Sequence, residues 1–156
     1  SVNRILGRDE TATEELLDSL IEVRPPVHNV AERLFTERRA ENLFLSNCEA
    51  WVGIPRSDIL DRRDSASGFD FAVAGLSERA IEVKGLRGDS GAIQFTDREW
   101  SEAKIRGTEY WLVVVGNVVA TPVFRLWKDP QRVLSVQCRY QRSVAAVWTS
   151  KVALQV

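Results

Sequence analysis

Residues 68–85 read Gly-Phe-Asp-Phe-Ala-Val-Ala-Gly-Leu-Ser-Glu-Arg-Ala-Ile-Glu-Val-Lys-Gly, and their alternation decides the fold. Phe69, Phe71 and Val73 alternate with Asp70, Ala72 and Ala74; Ile81 and Val83 alternate with Ala80, Glu82 and Lys84. Alternate side chains of a strand share a face. The stretch therefore predicts a β-hairpin with one buried apolar face and a second face carrying Asp70, Glu82 and Lys84 among alanines. Opposed residues on antiparallel strands point the same way. Asp70 faces Glu82 only if the connecting loop holds an odd number of residues, and the expected loop is Gly75-Leu76-Ser77. A slip of one residue would divide the two acids between faces.

Working outward, residues 91–95 predict a third strand. Thr96-Asp97-Arg98-Glu99 matches a capping box that opens a helix over 97–106, and Gly107 is its expected stop. Residues 109–118 predict a buried strand. The strand-helix-strand order implies a crossover and a mixed sheet, with 121–127 and 143–149 as further edge strands. Upstream, Leu16, Leu17, Leu20 and Ile21 have helical spacing over 11–23, with Thr11 and Glu14 as a capping pair and Pro25-Pro26 as a break. A second helix is expected over 27–40, with Val27, Val30, Ala31, Leu34 and Phe35 on its apolar side. A strand is expected around Glu49–Val52, and a loop over 53–67. The fold class is α/β (α+β), a mixed central sheet flanked by helices. The expected division is an N-terminal helix and linker, 1–26, followed by one domain, 27–156. With no Met and no clear element in 1–10, the chain reads as a domain cut from a longer protein.

The 156 residues, 44% hydrophobic and 28% charged, fall in the range of soluble globular domains. A net charge of -1 lacks the basic excess usual in nucleic-acid-binding proteins, so any such contact needs a local patch. Cys48 and Cys138 have no metal-ligand spacing, and with His28 alone they exclude an ordinary zinc site by ligand count. Both thiols are read as reduced and the location as cytoplasmic. No 18-residue apolar run suggests a membrane span. His28 is expected to cap a helix or lie exposed. Trp100 and Trp111 are expected in the core rather than stacked on bases.

Two carboxylates and a lysine on one strand face are the layout that a metal-dependent phosphodiesterase needs. Asp70 and Glu82 offer hard oxygens suited to Mg²⁺ or Mn²⁺, and Lys84 sits where an attacking water or a phosphate would be. The spacing alone is cheap. Glu102-Ala103-Lys104 repeats the acid-x-Lys pattern on a predicted helix, where residues two apart do not share a face. A solvated hairpin face with a surface ion pair is the bland alternative. Arg62, Arg63, Arg87, Lys104 and Arg106 are the candidate phosphate contacts.

Gly68-Phe69-Asp70, Ala80 through Gly85, Gln94 through Ala103 and Tyr110 through Val115 occur in an order and spacing that resembles the NO VEIN C-terminal-like domain, over about residues 27–130. The resemblance implies a restriction-endonuclease-like core of the PD-(D/E)xK nuclease-like superfamily. It implies Asp70 and Glu82 as metal ligands, the Val83 carbonyl as a further one, and Lys84 as the motif lysine. Glu32 on the first helix and Gln94 on the following strand are candidate helpers. It further implies DNA as substrate, Mg²⁺ or Mn²⁺ as cofactor, an upstream helicase-type ATPase or specificity domain, and a role in restriction or antiviral defence. A catalytically inactive binding or docking module on the same fold is the alternative.

Overall fold

The computed structural model describes residues 27–140 and 146–155. The expectations for 11–23, Pro25-Pro26 and the His28 side chain lie outside what is described. The chain divides into a unit of residues Ser1–Arg33 and a unit of Leu34–Val156.

Helix α1 runs Val27–Val52. It takes in the stretch expected as a strand, because Ala40, Phe44 and Cys48 recur every four residues and all three are buried. Its buried side is not the expected one: Leu34 and Phe35 are 67% and 60% exposed. From Leu34 onward, the packing of the helix puts Thr36, not Leu34, on the covered side. Gly53, at φ 73°, ends the helix, its N–H donating to the Glu49 carbonyl at 3.0 Å.

The expected 15-residue loop is shorter than its sequence suggests. A 3₁₀ turn, Arg56–Asp58, leads into β1, Ile59–Asp61. Buried Ile59 pairs with Val73 of β2, Phe71–Val73. Strand β3 spans Leu76–Gly85 and β4 Ser90–Thr96; helix α2 is Asp97–Arg106. Strands β5, Tyr110–Gly116, and β6, Val123–Lys128, follow, then a short helix α3, Pro130–Val133. Strands β7, Gln137–Tyr140, and β8, Ala146–Ala153, end the described chain.

The strands form two sheets. Five lie in the order β1-β2-β3-β5-β6, with β3 and β5 parallel and the other neighbours antiparallel. This is the expected mixed sheet. Strand β4 leaves it and pairs instead in a second sheet, β4-β8-β7. There β8 is the central strand rather than an edge, because Val147 and Trp148 pair on one side with Thr96 and Phe95 and on the other with Arg139 and Cys138.

Both faces of the main sheet are covered. Ile81, Val83, Val113 and Val115 pack against Ala40, Phe44 and Cys48 of α1. Ala80, Leu112 and Val114, of opposite parity, pack with Ile93 and Phe95 of β4 and Trp100 and Ala103 of α2. The face carrying Glu82 and Lys84 is therefore interior, not the solvated face of the bland alternative, which makes any charge there expensive unless paired.

Candidate functional site

The turn before β2 sets Asp70. Gly68 adopts φ 85°, and a Cβ there would lie 2.8 Å from Glu102 Cγ and 3.1 Å from the Arg98 carbonyl, so this turn is pressed against α2. The Tyr110 hydroxyl donates to the Gly68 carbonyl at 3.0 Å. Phe69 lies under the Arg106 guanidinium, 4.7 Å from its ring centre. The Asp70 N–H donates to the Ile81 carbonyl at 3.1 Å, and its Oδ2 accepts the Val83 N–H at 2.9 Å.

The register shows how Asp70 meets Glu82. The pairs Phe71 with Ile81 and Ala72 with Ala80 close the ladder, and Asp70 follows directly, its N–H on the Ile81 carbonyl and its carboxylate within electrostatic reach of Glu82. The turn itself is Ala74-Gly75, two residues rather than the expected three, with Gly75 at φ 77° and Val73 paired to Leu76. That register would oppose Asp70 to residue 79, one of the wrong parity. A bulge between Ala72 and Val73 of the pairing leaves residues 77–79 without β2 partners and restores the parity.

Beyond Asp70, β2 no longer covers the edge of β3, and side chains take over. In a strand, the N–H and carbonyl of one residue point to the same edge. Val83 gives its N–H to Asp70, so its carbonyl lies on the Asp70 side. The next N–H along that edge, Gly85, donates to Oε2 of Glu37 at 3.0 Å. A Cβ on Gly85 would lie 2.5 Å from the Thr36 carbonyl, which is why glycine follows Lys84 where α1 crosses β3.

On the other face Lys84 Nζ lies 2.6 Å from Glu82 Oε1 and 2.8 Å from Glu99 Oε2, and 5.5 Å from the centre of the Phe95 ring. Glu82 is 2% exposed and Lys84 8%. Glu82 Oε2 is buried with no hydrogen-bond partner. Burial pushes Asp70 up to about 7, against the opposing pull of the Val83 N–H and Lys84. Burial likewise raises Glu82 well above the carboxylate range, and raises Glu37. Burial works against the Lys84 charge, but Glu82, Glu99 and Glu37 outweigh it and hold the ammonium above its usual range.

The structure thus brings together Asp70, Glu82, Lys84 and the Val83 backbone, and adds two acids that the sequence reading missed, Glu37 and Glu99. Glu32 lies in the Ser1–Arg33 unit, and Glu37 in the unit that carries Lys84. Gln94 is exposed on the face of β4 opposite to Ile93 and Phe95, whereas the Phe95 ring meets Lys84. Among the described residues, no three Asp, Glu, His or Cys side chains gather in cation-chelating geometry. Asp70 and Glu82 are a pair, and a third protein ligand would be the Val83 carbonyl.

The basic residues do not form one cluster. Arg62 is exposed beside Asp70, its N–H donating to the Asp70 carbonyl at 2.8 Å. Arg63 is engaged by Asp61 and, at 2.8 Å, by Glu41, clamping the loop to α1. Arg87 is exposed just past β3. Lys104 lies over the Trp148 ring at 5.1 Å, and Arg106 pairs with Glu102 at 2.9 Å. Trp100 and Trp111 are buried, as expected. Cys48 is buried and Cys138 exposed, and neither is in a disulfide.

The family model for the C-terminal region of the protein NO VEIN matches residues 36–127. The chain belongs to the NO VEIN C-terminal family. The match runs from α1 through β6 and so contains Glu37, Asp70, Glu82, Lys84 and Glu99. Comparison of this NO VEIN C-terminal domain with curated proteins and with solved structures found no match.

Proposed function

We propose that this NO VEIN C-terminal domain hydrolyses DNA phosphodiesters with a divalent cation, Mg²⁺ or Mn²⁺, on a PD-(D/E)xK-type core. The observation that carries the reading is the imbalance of charge in the buried cluster. Glu37, Asp70, Glu82 and Glu99 lie around the ammonium of Lys84, three of them with raised pKa, and Glu82 Oε2 has no hydrogen-bond partner among the described residues. Carboxylates that burial forces toward the protonated form are poised to exchange protons for a cation. The donor set fits a hard divalent ion: Asp70 Oδ1, Glu82 Oε2 and the Val83 carbonyl are all oxygens.

A bound ion there would supply a Lewis acid and an acidified water. Asp70 and Glu82 would hold it. Lys84 would sit beside the scissile phosphate and offset charge developing on its oxygens. Arg62, exposed next to Asp70, and Arg87, just past β3, are the nearest candidates to contact the DNA backbone. The domain would act in the cytoplasm as one part of a larger defence or restriction protein, joined to a helicase-type ATPase or specificity domain. No described helix is long and apolar enough to cross a membrane.

One observation favours a second reading, a non-catalytic nucleic-acid-binding or docking module. Asp70 and Glu37 already have structural employment, each satisfying an N–H on the open edge of β3. Supercoiled DNA incubated with the domain and Mn²⁺ separates the two. Nicking that disappears in D70N and E82Q supports hydrolysis. Binding of DNA without nicking, unchanged in both variants, assigns the binding module instead.

A further inference from the structure

Lys84 has two carboxylate partners, and the fold holds them differently. Glu82 stands two residues away on the same strand and makes the shorter contact, 2.6 Å. Its second oxygen has no hydrogen-bond partner among the described residues. Glu99 comes from another element and is fixed independently of Lys84. Its Oε2 accepts the Thr96 N–H at 3.0 Å, and its own N–H donates to Thr96 Oγ1 at 3.2 Å. It also lies in the first turn of α2, where the helix terminus favours negative charge. The same Oε2 reaches Lys84 Nζ at 2.8 Å. Phe95, immediately before Thr96, adds a ring 5.5 Å from the ammonium.

The other acids nearby are committed elsewhere. Glu37 accepts from Gly85, Asp70 from Val83, and Asp97 from the Trp148 indole N–H at 3.2 Å. The junction of β4 and α2 therefore builds a bracket around the lysine from outside the strand that carries it. We propose that Glu99 is a positioning residue, the bracket that holds Lys84 in place independently of Glu82. Its role in hydrolysis rests on the function proposed above. If Glu82 held a cation, its carboxylate would be shared with Lys84, and Glu99 would remain as the lysine's partner. The capping box of α2 then has two tasks: it starts the helix, and it aims the lysine.

The test is solvent exchange of the Lys84 ammonium protons, followed by NMR on ¹⁵N-lysine-labelled protein without metal. E82Q mimics the withdrawal of Glu82 charge from Lys84. E99Q withdraws the Glu99 charge but keeps an oxygen for the Thr96 N–H, so the cap persists. Exchange is expected to be about tenfold faster in E99Q, and within about threefold of wild type in E82Q. E99D, which keeps the charge but shortens the reach by one methylene, is expected to follow E99Q. Faster exchange in E82Q than in E99Q, or wild-type protection in both Glu99 variants, overturns the assignment. Mg²⁺ titration of the wild-type Val83 amide is read separately. No response there would sink the hydrolase reading and leave the Glu99 comparison intact.

Discussion

Lys84 Nζ sits 2.6 Å from one oxygen of Glu82, while the other oxygen of that carboxylate faces no donor. A buried carboxylate half-satisfied in this way is costly, and nearby Asp70 adds a second acid rather than a compensating base. The strain of the cluster is electrostatic, and pH is its natural lever.

Stability should fall as pH rises from about 4 to 7. Asp70 in the folded chain keeps its proton to about 7, against an ordinary value of 3.8. The folded state thus binds more protons than the unfolded state across that window, and rising pH favours unfolding, by roughly 4 kcal/mol from Asp70 alone. Glu82 and Glu37 are raised in the same sense. Lys84 is charged in both states throughout the window and does not contribute to the slope. Thermal melts should give a higher midpoint at pH 5 than at pH 7.5. D70N should flatten the dependence, and millimolar Mg²⁺ should raise the midpoint at pH 7.5 more than at pH 5.

Lys84→Met should be a poor probe of catalysis, because it strips the Lys84 ammonium from Glu82 and Glu99. Removing one partner of a buried ion pair costs about 3–5 kcal/mol. Urea unfolding is expected to show that loss, and the double variant K84M/E82Q should recover part of it.

Gly85→Ala places a methyl 2.5 Å from the Thr36 carbonyl oxygen and 3.0 Å from Ala40 Cβ. Backbone cannot yield as a flexible side chain can, so α1 must shift off β3, loosening the Glu37 contact with the residue 85 N–H. Overpacking of this kind costs about 1–3 kcal/mol. A destabilisation below half of that, by denaturant titration, would mean the helix moves freely.

Tyr110→Phe removes the hydroxyl that ties down the Gly68 carbonyl. The buried bond should cost about 1–2 kcal/mol. Because Gly68 leads directly to Asp70, amide exchange at Phe69 and Asp70 should accelerate more than at Leu112 on the same strand as Tyr110. Uniform acceleration would show that the hydroxyl does not act on the turn.

What the sequence determined by itself were the features encoded in a few neighbouring residues. The two-residue alternation marked β2 and β3, Thr96 and Glu99 announced the capping box, Gly107 marked the end of α2, and the unbroken apolar run marked β5. Each depends on local backbone geometry, which nearby side chains dictate. The tertiary structure decided the rest. It chose the phase of α1 from Leu34 onward, turning Thr36, Ala40, Phe44 and Cys48 inward and bringing Glu37 to the Gly85 N–H, because the packing of that stretch outweighs the apolar pattern of Leu34 and Phe35. It carried β4 into a separate sheet, turning Phe95 inward and Gln94 outward. It also brought Asp70 to the Val83 N–H and within electrostatic reach of Glu82 through a two-residue turn and a bulge, since the parity of a register is a property of two strands and their connection together. The acids of the cluster come from α1, β3, α2 and the turn before β2, and only the packing of those elements makes them neighbours.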